Sequence, residues 1–124
     1  MSLGENKKEL FALLLIFLLG FGLRLYHLEE STYFGFDEAR DAYLSQEIYQ
    51  NRDLKIVGPP ANAPGLFHGP MYWYFLGPLY LISGGNPLFV SVVFRLINAL
   101  GIILIFYLAK NLFDSKVAFL SALI

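Results

Sequence analysis

Apolar positions along this chain gather into long runs on either side of a more polar middle. Residues 10–28 (LFALLLIFLLGFGLRLYHL) are nineteen positions interrupted by one charge, Arg24. Wound as an α-helix at about 1.5 Å per residue they reach roughly 28 Å, close to the thickness of a bilayer core. Residues 87–109 (PLFVSVVFRLINALGIILIFYLA) form a second run of twenty-three, about 34 Å of helix. Asn86 stands there as N-cap and Pro87 at the first helical position. Both runs are expected to be transmembrane helices. A third apolar stretch, residues 117–124, begins after Asp114 and Ser115 and extends for eight residues, about 12 Å of helix. It is expected to be the start of a truncated third span.

Between the two spans, residues 29–86 carry shorter patterns. From Phe36 to Arg52 (FDEARDAYLSQEIYQNR) there is no Gly or Pro, and Leu44 and Ile48 fall at i,i+4, which predicts an amphipathic helix over about 37–52 lying along the membrane surface. Residues 53–70 hold four prolines and three glycines, so an ordered, irregular loop is expected there. Residues 70–83 (PMYWYFLGPLYLIS) make about 21 Å of helix, too short to cross. Gly77 and Pro78 are expected to interrupt it. Tyr72, Trp73, Tyr74 and Tyr80 suit the headgroup level, where a ring keeps its polar tip wet, and this predicts an interfacial helix.

Composition narrows the class. Of 124 residues 56% are hydrophobic, 17% aromatic and only 15% charged, more apolar than an ordinary soluble domain. Nine Lys and Arg against ten Asp and Glu leave no basic excess to neutralise phosphates, so nucleic acid is not an expected partner. With no cysteine there is no disulfide framework, thiolate metal site or cysteine nucleophile. Lys7 and Lys8 precede the first span, and Lys110 and Lys116 follow the second. The positive-inside rule therefore places residues 1–9 and the turn at 110–116 in the cytoplasm. The 29–86 segment then faces outward, and it holds seven acids and three bases.

Candidate chemistry lies in that outward segment. Asp37 and Glu38 fall in the first turn of the expected helix. They either complement its macrodipole, for about 0.3 to 1 kcal/mol, or act as carboxylates able to take a proton from an attacking alcohol or amine. Arg40 at i+3 and Asp41 at i+4 pull the pKa of Asp37 in opposite directions. His68, beside Gly69 and Pro70, stands at the mouth of the interfacial helix, where an imidazole can meet a phosphate, a metal or water. One histidine with scattered acids makes no recognisable metal site. Arg24 and Arg95 are charges within the spans. Each either snorkels to the outer surface or attracts a phosphate or an acid of the outward loop.

Taken in order, RLYHL (24–28), FDEARDAYLSQEI (36–48), GLFHGPMYWYFLGPLY (65–80) and NPLFVSVVFRLINALG (86–101) resemble the N-terminal part of a C-type (GT-C) membrane glycosyltransferase. The family it resembles contains the protein O-mannosyltransferases and the aminoarabinose transferase of lipid A. The resemblance implies an all-α, polytopic helical membrane protein of the cell membrane with interfacial helices in its first outward loop. It implies a sugar passed, with inversion, from a polyprenyl-phosphate donor to a lipid, glycan or protein acceptor at the outer face. Carried onto this chain, Asp37 becomes the general base and Glu38 a helper that orients acceptor or base. Where some members place a Lys near the lipid phosphate this chain reads Gly69, which leaves His68 or Arg95 to take that part, with Tyr72 beside the substrate. A divalent metal is the one cofactor the resemblance admits. The alternative reading is a non-catalytic membrane subunit or transporter fragment whose outward loop binds a partner.

Overall fold

A computed structural model describes residues 3–124, with side chains from residue 7 onward; the first two residues of the expected 1–9 cytoplasmic segment lie outside the described residues. The protein is all-α, as expected. Its helices are α1 (Leu3–Leu25), α2 (Leu28–Ser31), α3 (Phe36–Gln50), α4 (Met71–Ile82), α5 (Pro87–Leu112) and α6 (Ser115–Leu123). Two compact units divide them: residues 1–28 with 92–124, and residues 29–91.

In the first unit α1 starts earlier than the apolar run and stops three residues short of Leu28. The stop is conformational: His27 takes a left-handed φ of 53°, which an L-residue adopts only where the helix ends. Among the described residues α5 is the helix long and apolar enough to cross a membrane. Its N-terminus follows the sequence signal, since the Asn86 side-chain carbonyl accepts from the Leu88 N–H at 2.9 Å and Pro87 needs no partner. Leu13, Phe106, Ala109, Ala118 and Ala122 form the core of this unit, with the Phe106 and Phe119 ring centroids 4.9 Å apart. A polar staple closes one end: the Glu9 carboxylate accepts from Lys110 and, at 2.7 Å, from the Ser115 hydroxyl. Asp114 caps α6 through the Val117 N–H at 2.9 Å. Large apolar side chains such as Leu10, Phe11, Leu104 and Leu108 remain outside this core.

The second unit is built on α3 packed against α4. Its core combines Ala42, Ser45 and Ile48 of α3 with Trp73, Leu76 and Tyr80 of α4. Ser45 is fully buried, and its hydroxyl is satisfied by the Ala42 carbonyl at 2.9 Å. The buried stripe of α3 thus has a small polar residue at its centre, and Tyr43 is exposed.

Contrary to expectation, Gly77 and Pro78 do not interrupt α4. A Cβ on residue 77 would collide with the Ser45 carbonyl and come within 2.6 Å of the Tyr49 ring, so glycine is what lets the two backbones approach. Pro78 has no N–H to give to the carbonyl four residues back, that of Tyr74. The Tyr49 hydroxyl donates to that carbonyl instead, at 2.7 Å. One tyrosine therefore fills the space left by the glycine and the hydrogen bond left by the proline. After Ile82 the helix ends on a Schellman turn, with Gly85 N–H to Tyr80 O at 2.8 Å and Gly84 N–H to Leu81 O at 3.4 Å.

The Pro-rich loop is more regular than expected. Ala63-Pro64-Gly65-Leu66 closes a turn with Leu66 N–H to Ala63 O at 3.2 Å and Gly65 at φ 78°, the values of a type II turn with Pro at its second position. The flanks pair as a short hairpin: Ala61 N–H to Leu66 O at 2.9 Å and Gly58 N–H to His68 O at 3.0 Å, around an antiparallel bridge between Pro60 and Phe67. The Tyr74 hydroxyl donates to the Lys55 carbonyl at 3.0 Å and ties the start of this loop to α4.

Candidate active site on the α3–α4 hairpin

The first two turns of α3 divide their three acids among distinct surroundings. Glu38 accepts from the Gly35 N–H at 3.0 Å, half of a capping box that satisfies a free backbone donor at the helix start. Its structural role is therefore real, and one of its carboxylate oxygens is already taken. Asp37 is largely exposed, with 73% of its side chain accessible, and its Oδ1 accepts from Arg40 Nη1 at 2.7 Å. Asp41 is tucked in, at 14%. Its Oδ1 accepts from both Arg40 Nε at 3.0 Å and Arg40 Nη2 at 2.9 Å. Bonding to Asp41, with help from Asp37, raises the pKa of the Arg40 guanidinium further, so this cation is permanent.

Tyr72, expected beside the substrate, lies within reach of these charges. Burial pushes its phenol pKa up, and the negative charges of Asp41 and Glu38 push it further. Tyr80 is raised in the same way, burial again leading. Both phenols stay protonated and able to donate wherever a carboxylate works as a base. The indole N–H of Trp73, on the same helix, is buried with no acceptor among the described residues.

Thus Asp37, Glu38 and Tyr72 share the second unit with Asp41, the acid the sequence treats only as a neighbour. Position i+4 was visible, but only packing against α4 shows that Asp41 is the sheltered one. His68 also belongs to this unit. Its backbone is fixed in the hairpin, donating to the Pro59 carbonyl at 2.9 Å, while its side chain is exposed.

Arg95 belongs to the first unit, where its guanidinium donates to the carbonyl of Arg24 in the last turn of α1. Arg24 in turn donates to the Asn98 side chain at 2.8 Å and to the Gly20 carbonyl at 2.9 Å. Both arginines thereby join α1 to α5. Beside Arg24 a cavity of about 160 Å³ opens between Ile16, Leu19, Gly20, Ile102 and the end of α6. Among the described residues no three His, Cys, Asp or Glu side chains gather as metal ligands.

Comparison with curated proteins and with solved structures yields no match. Residues 67–124, a stretch that takes in His68, Tyr72 and Arg95 and begins after Asp37 and Glu38, match the model of the dolichyl-phosphate-mannose-protein mannosyltransferase family, and this part of the chain is similar to that family.

Proposed function

We propose that this chain is the N-terminal portion of a membrane glycosyltransferase that moves a sugar from a polyprenyl-phosphate donor to an acceptor on the outer face of the membrane. The match of residues 67–124 to a family whose name specifies dolichyl-phosphate-mannose and protein carries this reading. The acids of α3 supply its chemistry. Asp37 acts as the general base: it takes the proton of the acceptor hydroxyl as that oxygen bonds to the anomeric carbon. The bond from that carbon to the phosphate oxygen breaks, the electron pair leaves with the lipid phosphate, and the configuration inverts. Oδ1 of Asp37 is held by Arg40, which leaves Oδ2 to receive the proton. Glu38 keeps one oxygen free to orient the acceptor. His68, Tyr72 and Arg95 serve substrate binding, Tyr72 as a protonated donor.

The test is transfer of labelled mannose from dolichyl-phosphate mannose to a Ser/Thr-containing peptide by the full-length protein that contains this chain, reconstituted in lipid. Asp37→Asn keeps the shape of the side chain and removes the base, so turnover should fall by about a hundredfold or more with the helical circular-dichroism signal unchanged. Near-normal turnover in that variant would remove Asp37 from the base role. Absence of transfer by the unaltered protein would remove this donor and acceptor.

A further inference from the structure

We propose that Arg40 is a positioning residue, a guanidinium bridge that is anchored on Asp41 and fixes the carboxylate of Asp37. The inference rests on the reading of Asp37 as the base. An exposed aspartate in a first helical turn has two free side-chain torsions, and a lone i,i+3 pair at the surface orders it weakly. Arg40 is not a lone partner. Two of its nitrogens grip Oδ1 of Asp41 at 3.0 and 2.9 Å, and a third reaches Oδ1 of Asp37 at 2.7 Å.

The three side chains step outward from shelter to solvent: 14% exposed at Asp41, 28% at Arg40 and 73% at Asp37. The inner carboxylate holds the guanidinium plane, and the plane holds the outer carboxylate. Because only Oδ1 of Asp37 is engaged, the bridge also selects the oxygen that faces the acceptor. A lysine at position 40 cannot do this. Its ammonium is a point charge without the fixed fork that lets one group face two carboxylates at once. A misplaced base loses rate rather than affinity, so the expected signature is in kcat and not in KM.

The experiment compares Arg40→Ala, Arg40→Lys, Asp41→Ala, the Arg40→Ala/Asp41→Ala double variant and Asp37→Asn in the lipid-reconstituted protein, with dolichyl-phosphate mannose as donor. Arg40→Ala and Asp41→Ala should each lower kcat by about tenfold or more, with KM within about twofold. The double variant should be no worse than either single one, because both remove the same bridge. Arg40→Lys should stay impaired, and added guanidinium should restore part of the rate to Arg40→Ala.

Independently of turnover, the rate of carbodiimide labelling at Asp37, read by mass spectrometry, should rise at least about threefold in Arg40→Ala as its oxygen is released. Arg40→Ala and Asp41→Ala turning over normally while Asp37→Asn is inactive would overturn the bridge and leave the base standing. Active Asp37→Asn would overturn the base, and the labelling rate then decides the bridge alone: an unchanged rate at Asp37 sinks it.

Discussion

Tyr72 sits within the field of two carboxylates borne by a different helix, and that makes its titration a gauge of the hairpin. Its folded pKa is raised above the ordinary tyrosine value of 10.0, by burial first and then by Asp41 and Glu38. A group so raised contributes stability that is present below the unfolded value and is lost as pH rises through the folded one. Stability of this unit should therefore decline above about pH 10, where unfolded tyrosine ionises and the buried phenol resists. Asp41→Asn should move the Tyr72 midpoint, followed by ultraviolet difference absorbance, down toward 10.0. An unmoved midpoint would mean that Asp41 does not face this ring.

The geometry of the candidate site is half legible at this scale. Asp37 and Glu38 announce themselves by residue type and by their place at a helix start. That Glu38 spends one oxygen on the Gly35 N–H, and that Asp41 is the sheltered acid, depends on backbone geometry at Gly35 and on the approach of α4. No spacing within α3 encodes either.

Among the helices, the signals that could be read were local. Asn86-Pro87 starts α5 and Asp114 opens α6, each through a hydrogen bond between near neighbours. What could not be read is where two segments compensate each other. Gly77-Pro78 looks like a break, and taken alone it would be one. Tyr49, twenty-five positions upstream of the carbonyl it satisfies, turns the break into a docking point. The buried face of α3 was equally hidden, because its centre is Ser45 and hydrophobic periodicity does not select a serine. Gly77→Ala should therefore destabilise the hairpin by about 1–3 kcal/mol through overpacking against Ser45 and Tyr49, although alanine is the better helix former. Denaturant unfolding followed by tryptophan fluorescence from Trp73, the chain's only tryptophan, measures it; a stabilised variant would show that the two helices do not meet at this glycine.

At the scale of the whole molecule, the question is which side of a membrane each segment occupies. The apolar surface of α5 and the match of residues 67–124 to a membrane glycosyltransferase family support a membrane protein. From the charge pattern, residues 29–86 are expected outside and Lys116 inside. A chain without cysteine lends itself to a direct check. Asn62→Cys, at the tip of the hairpin loop, should react with an impermeant maleimide added to intact cells, and Lys116→Cys should react only after lysis. The reverse pattern would invert the topology and place the acids of α3 on the wrong face for a lipid-borne donor.

The Tyr49 bond to the Tyr74 carbonyl carries a wider implication. Only one carbonyl on α4 is left bare by a proline, so only one sliding position of α3 can heal it. A displacement by a single turn would strand that oxygen and drive an aromatic ring into a bulkier neighbour. The hairpin is thereby keyed like a lock with one notch, and the notch near the end of α3 dictates the compass bearing of Asp37 at its beginning.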